Sequence, residues 1–189
     1  MHKLSKRFGV LLAVSAVTLA ALTACAPTPT ITQWTDTPEP ATEPLFASDE
    51  EALAAASETY ARYLSISDAI LAAGGESPEG LKDIATGQAL EYELEGAKNL
   101  ADRGIRATGA TTFRVHQLQT VEHSAATGTE IRFYVCDDLS KADLLDASGN
   151  SVAVPGRHTI FPFEVAVVGA SHESLMVSEK NLWTSGDFC

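Results

Sequence analysis

Side chains able to do chemistry are sparse in this chain of 189 residues. Four histidines lie past residue 24, at His116, His123, His158 and His172. None forms the i, i+4 pair that would set two imidazoles on one helix face for zinc, so no metal site is expected. His116 and His123 fall on or near a strand and read as ordinary polar positions. The stretch from Asp143 through Asp146-Ala147-Ser148-Gly149-Asn150 has the oxygens of a calcium loop without the closing glutamate. A hairpin turn accounts for all of it. Gly-x-Ser-x-Gly, Walker and dinucleotide motifs are absent. Gly74-Gly75 follows a predicted helix instead of joining a strand to a helix start, which makes it a poor phosphate cradle. No cofactor is expected. The acid clusters Asp49-Glu50-Glu51, Glu91 with Glu93 and Glu95, and Asp137-Asp138 read as solvated surface. The first of them also opposes the positive end of a helix dipole.

Charge is unevenly distributed. Lys3, Lys6 and Arg7 hold three of the 13 basic residues and no acid precedes Asp36, so beyond residue 24 ten bases face 25 acids, a net charge of −15. That balance argues against a nucleic-acid partner, whose phosphates need cationic neutralisation. It also argues against electrostatic adsorption to anionic lipid. The basic start is followed by an uncharged run over residues 9–23, the layout of a secretory signal and too short to span a bilayer. Leu22-Thr23-Ala24-Cys25 resembles the lipobox of bacterial lipoproteins. The resemblance implies cleavage after residue 24 and a diacylglyceryl thioether on Cys25, with palmitate-type acyl chains. Two chains on one cysteine anchor stably where one does not. The expected location is therefore the cell membrane, on its extracytoplasmic face.

Residues 25–47 read as the lipidated cysteine and a tether. Five of the eight prolines (Pro27, Pro29, Pro38, Pro40 and Pro44) sit here among threonines and acids. Such a segment supports neither helix nor sheet interior, and at about 3.1 Å per residue it spaces the domain by up to roughly 70 Å. With Cys25 acylated, Cys136 and Cys189 remain as an even pair in a chain that leaves the cytoplasm. An intramolecular disulfide would pin the C-terminus to a strand, and closing a loop of that length contributes about 4 kcal/mol. Two buried thiols, or an intermolecular bridge through the tail, are the alternatives.

The elements that must position these groups follow from periodicity. Ser48 with Glu51 is a capping box. From there Leu53, Ala56, Tyr60, Tyr63 and Leu64 form one helical stripe that ends before Gly74-Gly75. A short helix is expected after Pro78, using Leu81, Ile84 and Ala85. A longer one is expected over residues 87–103, with Leu90, Leu94, Ala97, Leu100 and Ala101 on one side and Gly104 as terminator. Past Gly104 the period falls to two. Strands are expected at 111–121, 130–136, 142–146, 151–154, 160–168 and 174–183, with 142–146 and 151–154 paired as a hairpin. Pro162 marks its strand as an edge or a bulge. The domain over residues 48–189 is therefore α+β, helices first, packed on one face of an antiparallel sheet.

This order of elements resembles the nuclear transport factor 2-like (cystatin-like) fold, a cone of helices against a curved antiparallel sheet. Thr86-Gly87, Val135-Cys136-Asp137-Asp138, the Asp146-to-Asn150 turn and the terminal Trp183 to Cys189 also resemble small secreted lipoproteins of actinobacteria. The fold serves many functions. The resemblance implies a pocket inside the cone, with Tyr60 and Tyr63 from the first helix and His116 or Tyr134 from strands as candidates. The function expected is non-catalytic: binding a small apolar ligand, or presenting a surface to another envelope protein. The alternative is a proton-transfer enzyme of the isomerase or dehydratase type, working through a buried imidazole or carboxylate. No residue is assigned a catalytic role.

Overall fold

The computed structural model describes residues 44–124, 128–186 and 188–189. The signal segment, Cys25 and most of the tether lie outside the described residues.

Helix α1 spans Asp49–Ala72 and forms half of the expected capping box: Ser48 Oγ accepts the Glu51 N–H at 3.2 Å, while the Glu51 carboxylate accepts the N–H of Ala47, one residue before the cap, at 2.9 Å. Its buried stripe holds Ala52, Ala56, Tyr60, Tyr63, Leu64 and Ile70. A 3-10 turn at Pro78–Asp83 buries Leu81. Helix α2 spans Gly87–Arg103, and Gly104 closes it in the left-handed region at φ 61°. Where the two helices meet, Gly75 admits no other residue. A Cβ there would lie 1.9 Å from the Ala97 carbonyl oxygen.

Strands β1 (Arg106–Thr108), β2 (Thr112–Ser124), β3 (Gly128–Asp138), β4 (Asp143–Leu145), β5 (Ile160–Gly169) and β6 (Met176–Leu182) follow. Four of them make an antiparallel sheet in the order β2-β3-β5-β6, while β1 pairs with β4 separately. The chain is α+β, with its helices on one face of an antiparallel sheet. Bulges between Val115 and Gln117 and between Leu118 and Thr120 bend β2. The core gathers Tyr60 and Tyr63 from α1 with Ile131, Phe133, Val135, Val165, Val167 and Val177 from the sheet. Each aliphatic or phenylalanine side chain so buried contributes about 1.5–3 kcal/mol of transfer free energy.

Four expectations are corrected. Residues 151–154 form no strand, although the hairpin is made beside its turn: Leu145 bridges Ser151, the Asp146 N–H donates to the Asn150 carbonyl and the Val152 N–H to that of Leu144. Strand β4 pairs also with β1, which has only three residues and too little periodicity to be read. Leu45 and Phe46, assigned to the tether, pack on the core, and Phe46 meets the His172 ring at 4.6 Å. Pro162 lies in β5, an interior strand without a bulge at that residue. It is tolerated because its carbonyl, and hence its missing donor, points toward β6 where that strand ends and only the Trp183 N–H reaches across. The fourth concerns the acidic clusters and is taken up with the site. Among the described residues, no helix is long and apolar enough to cross a membrane.

Candidate functional site

Period-two alternation decides which strand residues face the helices. On β3, Phe133, Val135 and Asp137 point inward, so a carboxylate extends the apolar row and is fully buried. Residues of β5 and β6 in register with that row, Phe161, Phe163, Lys180 and Leu182, line the same side. Helix α1 adds Tyr60, Tyr63, Leu64, Ser67, Asp68 and Leu71, one face at helical spacing.

Buried polar groups must be paired, and here they are. The Tyr60 hydroxyl donates to Asp137, at 2.8 Å from Oδ2 and 3.0 Å from Oδ1. Lys180 Nζ reaches Asp137 Oδ2 at 2.8 Å, with the lysine side chain 15% exposed and the aspartate 1%. The ammonium also lies 4.5 Å from the Phe163 ring centroid and 5.6 Å from that of Tyr60, within cation–π range. Beside this set, Tyr63 donates to Glu93 Oε1 at 2.5 Å and Ser67 to Oε2 at 2.6 Å. Burial, and then the neighbouring Asp137 charge, raises the Tyr60 hydroxyl well above the usual phenol range. Burial and Glu93 do the same to Tyr63. Both tyrosines are therefore fixed hydrogen-bond donors.

Above this floor the helices and the sheet do not close. A cleft of about 430 Å³ opens between α1, α2 and the sheet, walled by Leu64, Leu71, Leu100, Phe161 and Phe163. Tyr92 and Leu182, 67% and 53% exposed, stand at its lining as large hydrophobic residues open to solvent. Leu90, Leu94 and Leu100 on α2 are only half-buried, although the sequence pattern alone would send that stripe into a core. A larger depression of about 610 Å³ lies between the ends of α1 and α2 and the Asp146 turn. Small residues (Ala72, Ala73, Gly74, Gly149) wall it together with Glu76, Arg106 and Asp146, and among the described residues no buried polar side chain lines it.

The four pocket residues expected from sequence divide evenly. Tyr60 and Tyr63 lie beneath the cleft, stacked with centroids 5.7 Å apart. His116 and Tyr134 stand on the opposite sheet face. Tyr134 alternates with the inward Phe133 and Val135, and His116 alternates with the inward Phe113 and Val115; the bulge that follows returns Leu118 to the inner face. There His116 stacks on Phe188 at 4.6 Å, and Tyr134 meets Trp183 at 5.0 Å and Phe188 at 5.6 Å. The tail carrying these rings is held by Cys136 and Cys189, at disulfide distance with Cα atoms 5.6 Å apart, and by Arg114, which donates to the Cys189 carbonyl at 3.0 Å. Glu164 pairs in register with Tyr134 and so lies on that outer face.

Asp137, Glu93 and Lys180 were missed. The first two were read as solvated acids, yet both carried a signal. Asp137 keeps the parity of Phe133 and Val135, and Glu93 falls on the stripe of Leu90, Ala97 and Leu100. Among the described residues, no group of three His, Cys, Asp or Glu side chains is placed to hold a metal ion.

No family model matches the chain, and no curated protein matches it. Similar solved structures include the intermembrane space region of the chloroplast protein ARC6, at TM-score 0.46 and 16% identity over 69% of this chain and 95% of that one. Aln2 from a Streptomyces species aligns at TM-score 0.37 and 16% identity, covering 70% of this chain and 89% of Aln2. A protein from Catenulispora acidiphila aligns at TM-score 0.35 and 10% identity, covering 70% of this chain and 90% of that one.

Proposed function

We propose that this protein is a lipid-anchored, extracytoplasmic binding module of nuclear transport factor 2-like architecture, non-catalytic, and that the cleft between helices and sheet is its ligand site. The anchor is the acylated Cys25, and residues 26–44 hold the domain off the membrane. The observation that carries the reading is the open cleft itself. Its 430 Å³ falls in the range of small-molecule sites, and it has apolar walls above a few fixed polar groups. A cone packed solid would have left only an interaction surface.

The proton-transfer alternative has less support. Tyr60 and Tyr63 direct their hydroxyl protons to Asp137 and Glu93, and His116, the imidazole that reading needed, lies across the sheet.

Two measurements test the proposal. Membrane fractionation of the full chain expressed in a lipoprotein-processing bacterium should show Cys25→Ala released to the soluble fraction. Unchanged membrane retention would sink the anchor. For the cleft, phenethyl alcohol as a neutral probe should shift the backbone resonances of Leu64, Gly96 and Phe163 in the unacylated Cys25→Ala chain. Gly96→Phe should abolish those shifts, because the space over Gly96 is open on the cleft side of α2. Shifts that survive that substitution would place the ligand elsewhere.

A further inference from the structure

We infer that the ligand carries a cationic head, a primary or secondary ammonium on an aromatic or aliphatic body. The inference rests on the reading of the cleft as a ligand site and adds the ligand's chemical class. Charge around the cleft is unbalanced: Asp68, Glu93 and Asp137 line it against the single cation Lys180. Lys180 is already committed, with Nζ 2.8 Å from Asp137 Oδ2 and lying over the Phe163 ring. Among the described residues, neither Glu93 nor Asp68 has an ion-pair partner.

Both carboxylates are nonetheless held in place. Glu93 accepts from Tyr63 and Ser67, one hydroxyl on each oxygen. Asp68 accepts the Thr111 N–H at 2.7 Å and the Thr111 hydroxyl at 2.9 Å. An ionised carboxylate offers about four acceptor positions, so these contacts leave lone pairs on all four oxygens. A half-buried negative charge beside apolar walls lacks the water that would otherwise stabilise it, and a cation with its own donors replaces that water. Tyr92 and Phe161 add aromatic lining for the same head or for the body behind it. A bare metal ion would leave the apolar walls unused. A carboxylate or phosphate would meet three like charges and one ammonium already paired. The strongly acidic domain as a whole favours the approach of cations.

The test compares three probes of similar size on the unacylated full chain by calorimetry and amide shifts: phenethylammonium, phenethyl alcohol and phenylpropionate. A charge-assisted hydrogen bond to a partly buried carboxylate corresponds to about tenfold in affinity or more. The ammonium should therefore bind about tenfold tighter than the alcohol, with the carboxylate weakest. Glu93→Gln should erase most of that advantage, so that ammonium and alcohol bind the variant with similar affinity. If the glutamine variant fails to fold, Asp68→Asn gives the same readout. Equal binding of ammonium and alcohol overturns the inference and leaves the cleft as a ligand site. Tightest binding by phenylpropionate overturns it in favour of Lys180 as an anion reader. Binding by none of the three removes the ligand site and the inference with it.

Discussion

Replacing Lys180 by methionine isolates the charge at the base of the cleft. Methionine keeps much of the apolar stem and its contact with Phe163, so what is lost is the ammonium. Asp137, with its side chain 1% exposed, then retains, among the described residues, only the Tyr60 hydroxyl as a partner. Breaking a buried pair by removing one member costs about 3–5 kcal/mol, because the remaining charge is stranded. Lys180 is 15% exposed, which lets some water reach the vacated position and sets the expectation near the lower bound, about 3 kcal/mol. For a domain of this size that corresponds to a fall in Tm of about 6–12 °C. Urea unfolding followed by far-ultraviolet circular dichroism reads the same loss as a lower midpoint at unchanged slope. The decisive comparison is the double variant Lys180→Met with Asp137→Asn. It removes both charges but keeps an acceptor for Tyr60, so most of the loss should return. If the single variant unfolds within about 1 kcal/mol of the parent, or the double variant is no better than the single, the pair is not the buried, mutually dependent unit described.

Three further outcomes are expected. Gly96→Ala in the middle of α2 should stabilise by about 0.5–1 kcal/mol in chemical unfolding, since the added methyl meets open space and removes chain entropy from the unfolded state; a loss would mean that α2 closes over the cleft. Ultraviolet titration should find Tyr60 and Tyr63, two of the four tyrosines, un-ionised until the domain unfolds in alkali. Their folded pKa values lie above the unfolded value of about 10, so above that pH the unfolded chain binds fewer protons than the native one and stability falls as pH rises. Replacing Cys136 and Cys189 together by alanine should cost up to about 4 kcal/mol, because 53 positions separate them and the cross-link no longer restricts the unfolded chain; an unchanged unfolding midpoint would refute that.

What the sequence determined by itself is what short range governs. The Ser48 cap, the Gly104 terminator and the change of period after it mark the helices and the start of the strands, because each depends on residues within one or two turns. The cysteine pair was legible because, once the lipobox resemblance sets Cys25 aside, Cys136 and Cys189 allow a single pairing. The site was legible only in part. Tyr60 and Tyr63 announce themselves by helical spacing, and Glu93 and Asp137 share the spacing of apolar rows, but spacing does not reveal that these groups meet. Asp137 was hidden by its neighbour Asp138, since two adjacent acids look like surface until register shows that one of them faces inward. His116 faces away because it alternates with Phe113 and Val115, a parity the strand carries in its sequence, while the bulge that returns Leu118 to the inner face has no short-range signature. Only the tertiary structure could bring Lys180 to Asp137, from a strand two places across the sheet, and leave α2 standing off that sheet far enough to open a cleft. The physical reason is that alternation along one strand fixes a face up to a choice of two, while strand pairing, bulges and the approach of a helix decide which choice is made and what meets there.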